Sequence, residues 1–317
     1  MCKITEDVLK GAIKHYPWLA KFLMLIGLFI LSESLFSLIG LYLAELLVPA
    51  SHILDNIGSI NSGLALEPDT PMVHALEVYQ FCTSLGRFGL LTFAFLWLIG
   101  ESAGSFLQLR KSPSLQQLIW VFPLMISAAV VIGAVNEWNQ GLNLPEAWSG
   151  LEKQMRQMEE QAKGMTDAFL GTTTIGGLLI NIFLIGIVAA VTEELFFRGL
   201  VQGIFHRWTG KAHAGIWIAA FLFSFIHMQF YGFFPRLLLG ALLGYICYWS
   251  GSLWTAMAGH FINNTAAVIL YFLVSNGSVE QDPTETGTWA QALVFLPVLA
   301  IFIWQFRRHG ARLDDGV

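Results

Sequence analysis

Long apolar runs, each bounded by short polar punctuation, recur along the whole chain. They occupy roughly 18–48, 79–100, 115–135, 175–197, 213–230, 234–250, 253–275 and 290–306. About 20 mostly apolar residues carry a helix across a bilayer, so the pattern predicts eight transmembrane helices. The first is long enough to tilt or protrude, and the sixth is short. The runs are continuous rather than alternating and longer than strands, which argues against a β-barrel. The predicted fold class is all-α: a polytopic helical membrane protein forming one membrane domain over residues 1–317, without a clear internal repeat.

Composition strengthens this picture. Hydrophobic residues make up 55% of the 317 and charged residues only 12%, about half the charged share of a soluble domain. The mean hydropathy is +0.61. A disordered chain is excluded, a soluble enzyme is not expected, and membrane lipid is the expected surrounding. The net charge of −5 is spread out and gives no basic footprint, so no nucleic-acid partner is expected. Cys2, Cys82 and Cys247 form no spaced pair and read as buried thiols, not as disulfides or metal ligands. Residues 1–18 are polar for too long, and lack the small-residue cleavage site, of a removable signal peptide.

Lys and Arg set the orientation. With the N-terminus inside, the cytoplasmic ends hold 12 of the 17 basic residues, from Lys3 and Lys10 through Arg207 and Lys211 to Arg308 and Arg312. The far side holds Lys153, Arg156, Lys163 and Arg236, and Arg87 lies inside the second span. The loops at 49–78 and 276–289 contain no Lys or Arg. An even number of spans then places both termini in the cytoplasm, and a bacterial cell (inner) membrane is the expected location.

Residues 136–172 form the one sizeable insert outside the membrane. Trp148, Leu151, Met155, Met158, Ala162 and Met165 recur at steps of three and four, which is one helical face, and charges fill the remainder. An amphipathic helix lying on the bilayer or capping the bundle is the plain reading, and a substrate gate the sharper one.

Ionisable side chains in hydrocarbon are costly unless paired or hydrated, so each is a functional candidate. Glu33 is 15 residues from Trp18 and Arg87 is 13 from Gly100. They sit at similar depth and read best as a structural ion pair. A denser set, Thr192-Glu193-Glu194-Leu195-Phe196-Phe197-Arg198-Gly199, interrupts the end of span 4. Glu194 and Arg198, four apart, share a helical face and can pair. Glu193 is rotated by about 100° and faces elsewhere. In low dielectric such a carboxylate suits a general base, although a polar helix end near the surface would look the same.

His227 lies late in span 5, and His260 and Asn264 share a face of span 7. A lone intramembrane histidine is more often a helix–helix hydrogen bonder than a catalyst. Depth favours convergence here. If span 4 continues as helix to a turn at 209–211, Glu193 is 16 residues before Thr209 and His227 is 15 after Ala212. Each is about 23 Å from the turn, and Asn264 is about 18 Å from the turn near Gly251 on the same side. Glu193, His227, His260 and Asn264, from three helices, then meet in one pocket. The expected cavity reaches Glu193 and opens to the cytoplasm, with the last turns of span 4 outside the hydrocarbon and Gly203, Phe205 and Trp208 reachable there.

These motifs stand as Glu193-Glu194-x-x-x-Arg198, Phe223-x-x-x-His227 and His260-x-x-x-Asn264. In this order they resemble those of the CAAX protease and bacteriocin-processing family of intramembrane endopeptidases, including its Ras-converting CAAX prenyl protease type. The resemblance covers about 175–275, the expected catalytic core. It implies hydrolysis of peptide bonds in or near the membrane, on a CAAX-type or leader-type peptide or a membrane-protein segment. Carried over, Glu193 and His227 activate water, and His260 and Asn264 polarise the carbonyl. Glu194 and Arg198 orient and neutralise, and Phe223 packs against the His227 ring. The chemistry agrees, since Asn donates without charge and His from one nitrogen.

No cofactor is expected. Zinc is conceivable with two histidines and a glutamate, but no HExxH is present, and a glutamate-activated water without metal is preferred. Two rivals remain. A secondary transporter would use Glu193, His227 and Glu33 as a proton relay and predicts matched broken helices, which Pro235 and Pro297 do not supply. A non-catalytic scaffold would not need these groups at one depth.

Overall fold

A computed structural model describes residues 9–56, 66–280 and 287–309. Cys2, Lys3 and Arg312, parts of the loops at 49–78 and 276–289, and the first residues of the N-terminal stretch lie outside that range. Nine helices carry the described architecture: α1 Trp18–Leu47, α2 Pro71–Ile99, α3 Leu115–Gln140, α4 Ser149–Leu170, α5 Ile175–Thr209, α6 Ala212–Ile226, α7 Phe233–Ser250, α8 Leu253–Ser275 and α9 Trp289–His309. No strand occurs among the described residues. The protein is a multi-pass, all-α membrane protein. Seven helices are long and apolar enough to cross a membrane, and the shorter apolar α6 completes the eight segments of the hydrophobic pattern.

The sixth of these segments is short, at 18 residues, and the fifth is shorter still. At 15 residues, α6 rises about 22 Å, less than a hydrocarbon core of about 30 Å. It stops because the chain turns at His227 and Met228, the latter at φ +54°. A 3-10 turn over Phe230–Gly232 follows before α7 begins. Pro235 lies in the first turn of α7, where its missing N–H leaves no bond unmade. Irregular backbone at this depth is stable only if buried in protein or lining water.

The helices form a bundle with two distinct ends. At the basic end, the backbone of Leu253 bonds to Gln108, Trp254 to Leu109, and Gln117 to His309. At the other end, Asn139 accepts from Phe234 N and donates to the Phe230 carbonyl. There α4 lies across α2, α8 and the 230–232 turn. Glu159 accepts from Tyr231 N at 3.4 Å and the Arg156 guanidinium sits 4.4 Å over the Tyr231 ring. Met155 and Met165 are partly covered, while Trp148, Leu151 and Met158 stay exposed. At its start Glu152 accepts from Arg156 at 2.7 Å and from Leu144 N at 2.9 Å. These bonds, the one from Arg156 above all, hold the Glu152 carboxyl below its ordinary range.

The largest core cluster is aromatic. Phe88, Phe196, Phe197, Phe205 and Phe223 pack with Leu200, Ile204 and Leu253 between α2, α5, α6 and α8. Helices α1 and α9 are outer helices that turn most of their apolar surface outward. Glu33 of α1 meets Arg87 of α2 at 3.1 Å, which joins the outer helix to the bundle as an ion pair.

Close approach of α7 to α5 and α6 depends on two glycines. A Cβ on Gly240 would stand 3.2 Å from Ala220 and from the Phe223 ring, and one on Gly244 would stand 2.8 Å from Gln202 Oε1. The carbonyls of the same two glycines accept from Arg198 Nη2 at 3.2 Å and Gln202 Nε2 at 3.3 Å. Gly240→Val should therefore separate α7 from Arg198 and cost about 1–3 kcal/mol by overpacking. Thermal unfolding in detergent measures this, and an unchanged midpoint would show that the contact yields freely.

Candidate active site

The middle of α5 departs from regular α-helix on both sides of the two glutamates. Wide π-helical turns span Ile182–Ala189 and Leu195–Val201, with an α-helical segment, Ala190–Glu194, between them. A third lies at Leu85–Leu90 around Arg87. Such turns are rare and concentrate at functional sites. The hydrophobic pattern does not reveal them, and the only local sign is a glycine in each: Gly186, Gly199, and Gly86 with Gly89.

The two neighbouring carboxylates have different surroundings. Glu194 is fully buried, and its Oε1 accepts from Arg198 Nη1 at 2.7 Å and His260 Nδ1 at 2.9 Å. The sequence accounts for the Arg198 bond by its i,i+4 spacing. The His260 bond crosses to α8 and is not visible in the sequence. Glu193 faces another way and its side chain keeps 16% of its surface. Its Oε2 stands 3.9 Å from His260 Nε2, too far for a direct hydrogen bond. One imidazole thus lies between the two acids.

Hydrogen bonding sets the ring nitrogens. At His227, Nδ1 lies 2.7 Å from the Phe223 carbonyl. A carbonyl only accepts, so Nδ1 carries the proton and Nε2 of the neutral ring keeps its lone pair. At His260, Nδ1 donates to Glu194 in the same manner, leaving Nε2 toward Glu193. The Phe223 ring stands edge-on to both, 5.0 Å from His227 and 6.0 Å from His260, and Arg198 lies over it at 4.5 Å. It therefore packs against one more histidine than the sequence indicates.

Asn264 lies one turn beyond His260. Its Nδ2 donates to the Ile185 carbonyl at 2.9 Å, inside the first π-helical turn. Gly186 allows this approach, because a Cβ there would meet Thr265 Oγ1 at 2.7 Å. One amide hydrogen of Asn264 is thus used to hold α8 against α5. Among the described residues, no three His, Cys, Asp or Glu side chains gather so as to hold a metal ion.

Arg236 is the group that sequence reasoning left outside the site. It is near the start of α7, in electrostatic range of Glu193 and His227. Its signal was available, as a single cation in an otherwise apolar span. It also lines a cavity of about 550 Å³, with Asn136, Arg156, Glu159, Gln229 and Tyr271 among the other walls. This polar cavity lies at the α4 end of the bundle, opposite the 209–211 turn, and Glu193 is not among its lining residues. Two of the positions expected to be reachable are also packed: Phe205 is buried and Gly203 closes on Phe106. Trp208 keeps 39% of its surface.

Comparison with known proteins agrees with the resemblance read from the motifs. Residues 175–266 match the family described as type II CAAX prenyl endopeptidase Rce1-like. The chain is also similar to the uncharacterized protein YpbD of Bacillus subtilis (strain 168), with 29% identity over 86 residues. That stretch is 26% of this chain and 41% of YpbD, so the chain spans about two-fifths of that relative's length. No solved structure matches the chain significantly.

Proposed function

We propose that the chain is an intramembrane endopeptidase that hydrolyses peptide bonds in or near the membrane by a glutamate-activated water. One observation carries the reading: of two adjacent carboxylates, Glu194 is committed to Arg198 and His260, while Glu193 is only partly buried and stands 3.9 Å from His260, beyond hydrogen-bond distance. The family match over the same helices supports it.

In this reading Glu193 takes a proton from water as its oxygen attacks the scissile carbonyl, and passes that proton to the leaving amine when the C–N bond breaks. His227, with Nδ1 fixed by Phe223, offers Nε2 to hold the same water. His260, backed by Glu194, stabilises the oxyanion from Nε2 with a proton taken from solvent before the attack and kept through it, assisted by the second amide hydrogen of Asn264. Arg198 holds the Glu194 carboxylate in place. The substrate is an apolar peptide or membrane-protein segment, of CAAX or leader type. Membranes containing the protein should cleave such peptides, and membranes containing Glu193→Ala should not. Equal cleavage by both would remove the proposal.

The proposed location is a bacterial cell membrane with both termini in the cytoplasm, and the α4 end outside. In a background lacking Cys2, Cys82 and Cys247, a cysteine at Trp208 should react with a membrane-impermeant thiol reagent only from the cytoplasmic face. A cysteine at Glu160 should react only from the other. The reverse labelling pattern would invert the orientation.

A further inference from the structure

We propose that Arg236 is a carboxylate-binding group that anchors the peptide substrate beside the scissile bond; the proposal rests on the peptidase reading and names a feature of its substrate. The guanidinium is largely enclosed in the first turn of an apolar helix, where a cation needs compensation. Its hydrogen-bond partners are neutral: Nη1 donates to the Gln229 carbonyl at 3.1 Å and Nη2 to Gln229 Oε1. Glu159 and Glu193 act on it electrostatically. No carboxylate of the described residues forms an ion pair with it.

Three further features direct an anion to this place. The guanidinium is part of the wall of the 550 Å³ cavity, so a ligand has room beside it. It lies in the first turns of α7, whose N-terminal dipole adds positive potential. Gly232 makes space for it, since a Cβ there would stand 2.8 Å from Arg236 Nη2. Arginine presents paired N–H donors to a carboxylate in a planar fork, and two of its donors are already fixed by Gln229. Because Arg236 is bonded to Gln229, two residues after His227, a carboxylate held here fixes how far the scissile carbonyl lies from the substrate's anionic group. That anion is either the C-terminal carboxylate or an acidic side chain.

The test uses the full chain carrying Glu193→Gln, in lipid nanodiscs, with a dansyl-labelled apolar octapeptide followed by fluorescence polarisation. Three forms are compared: the C-terminal acid, the C-terminal amide, and an amide with one internal Glu. At least one carboxylate-bearing form should bind ten times more tightly than the plain amide. Preference for the acid alone identifies the C-terminus, and preference for the internal Glu identifies a side chain. Adding Arg236→Gln should abolish the preference, so that the three forms bind alike. Arg236→Lys, which keeps the charge and loses the fork, should retain only part of it and serves if the Gln variant does not fold. Equal binding of the three forms, no binding of any, or a preference that survives both substitutions would overturn the site. A role limited to bracing the α6–α7 turn would lower stability and affect the three peptides alike. If the chain with Glu193 intact showed the preference but cleaved nothing, the peptidase reading alone would fall. If it cleaved all three forms equally, the carboxylate site alone would fall.

Discussion

Glu193→Gln should lower peptide hydrolysis by at least about 100-fold while expression, membrane insertion and thermal stability stay at the level of the unmodified protein. Glutamine keeps the shape of the side chain and its exposure but cannot take a proton from water. The site around it should persist, because Glu193 makes no direct hydrogen bond to His260 at 3.9 Å and the Glu194–Arg198–His260 network does not depend on it. Single-turnover cleavage by purified protein, alongside a melting curve, checks both halves. Near-normal turnover would remove Glu193 from the chemistry, and a large loss of stability would make it a structural residue instead.

Glu194→Ala and Arg198→Ala should each destabilise the fold by about 3–5 kcal/mol, because each leaves an opposite charge buried without its partner. The double variant should be milder than the sum of the two, since both charges are then gone. Glu194→Ala should be the worse single change, as it also strips His260 Nδ1 of its acceptor. Arg198→Ala leaves that bond but frees the Gly240 carbonyl on α7. Unfolding of the four proteins in detergent gives the coupling directly. Strictly additive losses would mean that the two side chains do not act as a pair.

The difference between these two glutamates shows how far the sequence reaches. Residues four apart on a helix meet whatever surrounds them, so Glu194 and Arg198 could be paired from spacing alone. The depth arithmetic from the 209–211 turn brought Glu193 and His227 to one level, because helical rise is fixed. The same arithmetic was silent on rotation. Whether His260 approaches Glu193 or Glu194 depends on how α8 is turned against α5, and that is set by packing at Gly186 and by the π-helical turns. Asn264 shows the same limit: its place beside His260 follows from spacing, but its bond to Ile185 does not.

The sequence by itself determined the solvent, the fold class and the number of apolar segments, since spanning length and continuous hydrophobicity are local properties that bilayer thickness converts directly into helices. It also determined which polar side chains carry the unavoidable cost of burial and so need an explanation. The tertiary structure alone decided that His260 bonds Glu194 and Asn264 bonds Ile185, that α6 is only 15 residues long, and that Arg236 lines a polar cavity lying under α4. These depend on helix rotation and on contacts between residues far apart in the chain, such as His260 with Glu194, where many arrangements share the same hydrophobic pattern and only close packing selects one.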